Sequence, residues 1–298
     1  MSAPLDVPGV RLRAGDLIAL RPVALAAVGE PALSDLPGGF ITRKRGHGQE
    51  VADIREYMPG DDLRHLDRGS TARTARPHVR QFQEERDRVT LLIADFRPSM
   101  LWGLTRAFRS VSAAEALTLL GWRVIEEGGR VGLLALSAGE PVIIPARGRV
   151  RGMLDVIGAL ARAHDAALET ALAGDLDDPP LDDGLSRVER IAPRGAELVI
   201  ASGFENPGNS LEDRLNALGR TRAPRLLLIS ETAATRLPRG SYPIRLPDGT
   251  RTRVAGASGG AAPEVRIAGH VALELDAGAA VEETARHLAA AFPKDREP

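Results

Sequence analysis

Three histidines share one short stretch of this chain with several aspartates: His47, His65 and His78 lie in the same segment as Asp61, Asp62 and Asp67. Imidazoles and carboxylates together suit a transition-metal site or an acid–base pair. Their spacings match no zinc or two-metal pattern, and a histidine in such a segment is more commonly a hydrogen-bonded structural residue. Ser99 would need an adjacent base to act as a nucleophile, and its neighbour Arg97 is not one. The pairs Gly38-Gly39 and Gly46-x-Gly48 lack the Lys-Ser/Thr and the strand-to-helix setting of a phosphate loop. The expectation is therefore a protein that is not an enzyme.

The same stretch, residues 43–88, interleaves arginines with carboxylates almost one for one. Three readings stay open. It is a structural ion-pair network, with Gly60-Asp61-Asp62 as a turn and Arg55 and Arg73 paired to Asp67. It is a recognition surface for a partner protein, compatible with the first reading. Or it binds nucleic acid, which is the weakest reading, because the charges cancel and only Tyr57 and Phe82 offer rings for stacking on bases.

The elements that would position these groups follow from hydrophobic patterning. Val89 to Ala94 is a continuous apolar run ending at Asp95, the pattern of a strand buried on both faces. A helix is expected over Thr105–Glu127, stopped by Gly128-Gly129. Strands follow at Val131–Leu136 and Pro141–Pro145. Val150, Met153, Leu154, Ile157, Leu160 and Ala161 then read as the apolar stripe of a helix. The acidic, proline-containing segment 174–184 reads as a surface loop. Beyond it come strand Glu197–Ala201, helix Ser210–Arg220, strand Arg225–Ile229, a hairpin over 242–254 turning at Asp248-Gly249, a loop over 256–263, strand Val271–Leu275 and helix Val281–Phe292. Alternating strands and helices imply an α/β, doubly wound and mostly parallel sheet. Its sites would lie after the first and fourth strands, at Asp95–Gly103 and Ser202–Asn206.

Bulk composition narrows the function class. The 298 residues carry a net charge of −1, 43% hydrophobic and 27% charged residues, and no cysteine. Disulfides, thiolate metal sites and cysteine nucleophiles are excluded, and the balance gives no field for drawing in nucleic acid. No signal-like segment opens the sequence, and the early apolar stretch 17–28 is broken by Arg21-Pro22. A cytoplasmic location without membrane insertion is expected.

The block Arg45-Gly-His-Gly-Gln-Glu50, Asp53-Ile-Arg-Glu-Tyr-Met-Pro-Gly-Asp-Asp62, Arg64-His-Leu-Asp67 and Thr71-Ala-Arg73 resembles the signature of domain-of-unknown-function family 58. These are von Willebrand factor A-like (vWA-like) proteins associated with MoxR-type AAA+ ATPases. Val79-Arg-Gln-Phe82, Glu85-Arg86, Asp95-Phe-Arg-Pro-Ser-Met100, Gly103, Arg130-Val-Gly132 and Pro145-Ala-Arg-Gly148 extend the likeness, which covers residues 38–150. One departure stands out: Asp67 is followed by Arg68 where family members usually carry Trp. The resemblance implies a vWA-like fold, a MoxR-type ATPase and another vWA protein as partners, and a role in maturing or metal-loading an enzyme complex. One branch, the MxaS-like proteins, serves assembly of methanol dehydrogenase, and the residues do not decide membership of it.

The resemblance also raises the vWA metal-ion site, Asp-x-Ser-x-Ser after the first strand with a further Asp after the fourth, which holds Mg²⁺ through oxygens. Here the triplet is Asp95, Arg97 and Ser99, and Gly203 stands where the later carboxylate would be. Arginine is always protonated and cannot ligate a cation. The expectation is a degenerate site in which Arg97 pairs with Asp95 in place of Mg²⁺, so no cofactor is expected. The plainer alternative is that Asp95 and Ser99 cap a turn; the runner-up function is a metal-dependent binding module. The division expected is an arm over residues 1–85, packed back on the sheet, and a vWA-like domain over 86–298 that includes the hairpin.

Overall fold

The computed structural model describes residues 7–27, 50–58, 66–83, 88–235, 241–245, 251–255 and 265–292. The chain forms two compact units, Met1–Phe40 with Arg88–Pro298, and Ile41–Asp87. The larger opens with two short helices, α1 (Ala14–Ala19) and α2 (Arg21–Ala26), which bury Leu17 and Ala24 in its core.

In the smaller unit, β1 (Glu50–Glu56) and β2 (His78–Gln83) pair antiparallel, with helix α3 (Arg68–Thr74) between them. Asp67 starts that helix, its carboxylate accepting from the Ser70 N–H at 2.9 Å. Ala75 ends it in the left-handed conformation. The strands were not foreseen in this polar stretch, where the backbone ladder rather than an apolar run defines them.

The larger unit continues with β3 (Val89–Asp95), α4 (Arg109–Glu126), β4 (Arg130–Leu136), β5 (Val142–Gly148) and α5 (Arg149–Leu172). Then come α6 (Leu181–Leu185), α7 (Val188–Ile191), β6 (Glu197–Ser202), α8 (Leu211–Gly219), β7 (Ala223–Ser230) and α9 (Thr232–Thr235). The hairpin β8 (Ser241–Arg245) and β9 (Arg251–Ala255), the short β10 (Arg266–Ile267), β11 (His270–Asp276) and α10 (Val281–Ala291) complete it. The expected turn at 248–249 and the loop at 256–263 lie outside the described residues.

Seven strands form one sheet in the order β10-β11-β7-β6-β3-β4-β5. The five inner strands are parallel, and an antiparallel strand closes each edge. The α/β, vWA-like doubly wound arrangement is thus the one found. Along β3, Leu92 and Ala94 face one core, shared with Leu17, Leu117, Met153 and Leu288 of the helices on that side. Leu91 and Ile93 face the other, shared with Leu181, Val188 and Leu215. Each such leucine or isoleucine contributes roughly 1.5–3 kcal/mol by leaving water. Among the described residues no helix is long and apolar enough to cross a membrane.

Three expectations are corrected. Helix α4 begins at Arg109, not Thr105, because Glu231 holds the loop before it: Leu104 N–H donates to Oε2 at 2.9 Å and the Thr105 hydroxyl to Oε1 at 3.1 Å. The segment 174–184 is not all surface loop, since α6 buries Leu181 and Asp182. On α5, Val150 and Leu154 are 39% and 41% exposed, although Met153 and Ile157 are buried as expected.

Candidate functional site

Strand β3 is the switch point of the sheet: the chain leaves it through α4 to β4 on one side, and β6 returns on the other. The carboxyl ends of β3 and β6 therefore flank the crevice where ligands bind in such sheets. Asp95 ends β3 and Ser202 ends β6, both buried.

Within that crevice Arg97 turns back onto Asp95, and each residue is only 1% exposed. Arg97 Nε donates to Asp95 Oδ1 at 2.9 Å and Nη2 to Oδ2 at 2.8 Å. The remaining guanidinium hydrogens reach three backbone carbonyls. Nη2 donates to Glu205 O (3.0 Å), and Nη1 to Pro179 O (2.6 Å) and Asn206 O (3.1 Å). All five N–H groups are thereby used. Asp95 also accepts from the Arg97 N–H (3.0 Å) and the Ser202 hydroxyl (2.6 Å). Burial pulls the Arg97 pKa down, but the bond to Asp95 and the charges of Asp95, Asp178 and Glu205 outweigh it, holding the guanidinium above its ordinary value.

A second buried arginine, Arg109, sits beside the first. From the start of α4 its Nε donates to Ile229 O at 2.8 Å and its Nη1 to Glu205 Oε1 at 2.5 Å, while the guanidinium lies 5.3 Å from the Trp102 ring centre. This explains Gly203. A Cβ there would meet the Arg109 guanidinium and the Glu205 carboxylate, so these side-chain ends occupy the space of the expected aspartate and would have to shift to admit it.

Ser99 contributes differently from the expectation. Its N–H donates to Asp178 Oδ1 at 3.0 Å, its carbonyl accepts from Trp102 Nε1 at 2.9 Å, and its hydroxyl is buried without a hydrogen-bond partner. Asp178 reaches Arg97 Nη1 as well, at 3.6 Å. On the rim, Trp102 is 37% and Leu104 56% exposed. The sequence reading missed Arg109, Asp178, Ser202 and Glu205. Ser202 and Glu205 lay inside the 202–206 loop it had singled out, so that loop was the available signal.

The signature block divides. Asp67 caps α3, and Arg73 Nη2 donates to Ser70 Oγ at 3.3 Å. The Tyr57 N–H donates to Pro77 O at 2.9 Å, its side chain partly exposed. Arg55 lies in β1, its side chain outside the description, as are Gly60, Asp61, Asp62 and Arg64, along with His47 and His65. The His78 ring nitrogen Nδ1 lies 2.8 Å from Arg76 O and 3.2 Å from Thr74 Oγ1, a structural setting. Among the described residues no three histidines, aspartates or glutamates gather as metal ligands.

A hard cation needs several free oxygens around one point. At the end of β3 both oxygens of Asp95 are engaged by donors, a guanidinium fills the adjacent space, and Gly203 offers no side chain. These residues do not fit a metal.

Comparison with known proteins places the chain. The model of the family described as "Protein of unknown function DUF58" matches residues 53–253. The chain belongs to the DUF58 family. Uncharacterized protein Rv1480 of Mycobacterium tuberculosis and uncharacterized protein Mb1516 of Mycobacterium bovis are each 35% identical over 177 residues, 58% of this chain and 53% of theirs. This DUF58 chain thus aligns with about half the length of those relatives.

Proposed function

We propose that this DUF58 protein is a non-catalytic adaptor, presenting the Asp95–Gly103 edge and the signature block to a MoxR-type AAA+ ATPase during maturation or metal loading of an enzyme complex. One observation carries the reading: a buried guanidinium, satisfied at every N–H, takes the space beside Asp95. A position so filled leaves neither an open coordination site nor a base aimed at a nucleophile. What remains is a rim carrying exposed Trp102, a residue type enriched where proteins recognise one another, beside exposed Leu104. The ATPase as partner rests on the family resemblance of the signature block, and the cytoplasm as the setting on a cysteine-free composition that suits a reducing compartment.

The test is a pull-down of the tagged full chain from its host lysate, with and without a slowly hydrolysed ATP analogue. Nucleotide-dependent recovery of an AAA+ ATPase, lost when Trp102 and Leu104 are both changed to Ala, supports the adaptor. Recovery of no ATPase under either condition removes the partner.

A further inference from the structure

The exposure of Val150 and Leu154 on α5 has a counterpart in β5. Val150, Leu154 and Gly158 step at four-residue intervals along one side of the helix. Next to them runs an open groove of ≈ 330 Å³, with Ile144, Pro145, Leu154 and Gly158 as its apolar lining and Arg147, Asp155 and Arg162 as its polar lining. All of these belong to β5 and α5, and β5 is the edge strand of the sheet. Edge strands beside an apolar strip are places where a partner's segment adds.

The charge around this groove is one-sided. Asp155 is its only lining carboxylate and pairs with Arg147 at 3.2 Å, an exposed pair of little net strength. Arg162 lines the groove too, and exposed Arg149 and Arg151 stand at its β5-to-α5 corner. Arg149 holds a left-handed backbone angle, φ 64°, directly after Gly148. A side chain kept in that conformation costs on the order of 1–2 kcal/mol, the kind of local strain found where binding is organised.

We propose that this groove docks an acidic amphipathic segment of a partner protein, with aliphatic side chains over Ile144 and Leu154 and carboxylates against Arg147, Arg151 and Arg162. This second surface is separate from the rim around Trp102 and does not depend on it. A protein with both could bridge two partners.

The test uses fluorescence anisotropy on the full chain with a fluorescein-labelled peptide in which Asp and Glu flank leucines, beside the same peptide with Lys at each acidic position. The acidic peptide should bind saturably, weaken with added salt, and lose about tenfold or more in affinity on Leu154→Glu or Arg162→Glu, as for a central contact. Trp102→Ala should leave this binding unchanged, which separates it from the adaptor reading. Circular dichroism establishes that each variant is folded. Equal binding of both peptides, no binding at millimolar peptide, or indifference to folded Leu154→Glu and Arg162→Glu would overturn the proposal. So would concentration-dependent self-association abolished by Leu154→Glu, because the groove would then be filled by a second copy.

Discussion

Arg97 and Asp95 are joined by two parallel hydrogen bonds, 2.9 and 2.8 Å long, at the buried end of β3. Removing one partner of such a pair leaves the other charge uncompensated. Arg97→Ala should therefore destabilise the larger unit by about 3–5 kcal/mol, measured by urea unfolding. Part of that loss comes from the three carbonyls left without donors. A variant that unfolds within about 0.5 kcal/mol of the parent would mean that the pair is not structural.

The same geometry predicts no Asp95-dependent binding heat when Mg²⁺ or Mn²⁺ is titrated into the protein. Micromolar affinity for either ion, abolished by Asp95→Ala, would contradict the filled site and revive a metal-dependent module.

Gly203 is predicted to resist the residue that would rebuild a metal site. In Gly203→Asp the Cβ meets the ends of the Arg109 and Glu205 side chains, so these must shift, which disturbs the Arg109 guanidinium over Trp102. Overpacking of this kind costs about 1–3 kcal/mol. The loss of Trp102 stacking should appear as a change in tryptophan fluorescence. Gly203→Ala should show the same direction, since the collision begins at the Cβ.

His164 supplies a pH dependence. It is fully buried, its Nε2 lies 2.9 Å from the Ser110 hydroxyl, and its ring meets Phe96 edge-on. Burial lowers its pKa to about 4, the Asp165 charge opposing this and the Arg11 charge adding to it. Between the ordinary value of 6.5 and about 4, the unfolded chain takes up a proton that the native state refuses. Stability should thus fall as pH drops through this window, by about 1.4 kcal/mol per unit and on the order of 3 kcal/mol in all. Chemical unfolding across pH 4–7 should lose that slope in His164→Gln; an unchanged slope would assign it to other groups.

Leu104 is exposed, and only its backbone is used by Glu231. Leu104→Ala should shift stability by less than about 0.5 kcal/mol and, on the proposed function, reduce capture of an AAA+ ATPase. Undiminished capture by both Leu104→Ala and Trp102→Ala would move the contact elsewhere.

Strand β3 was legible because a strand buried on both faces must be apolar throughout, and Val89 to Ala94 is. The antiparallel sense of β5 was not read, although residues 137–141 are too few for the crossover a parallel strand needs. The start of α4 was not legible, because Glu231, more than a hundred residues away, captures Leu104 and Thr105. Leu181 and Leu185 sit one helical turn apart and did signal α6, but the prolines beside them dominated the reading. Arg97 could be singled out by its place between Asp95 and Ser99. Its carbonyl partners could not, since Pro179, Glu205 and Asn206 reach it only through the fold. Arg109 carried no local sign at all, and Gly203 became intelligible only once that side chain was in view.

The positive charge beneath the rim is encoded, present once in every copy of the chain. A site held by a diffusible ion is occupied to an extent set by the ion's free concentration, and can be emptied or filled as conditions change. A guanidinium cannot be diluted away or exchanged, and it keeps its proton across the physiological range. With Arg97 in that place, occupancy by a diffusible ion is not a variable that could tune the rim above it.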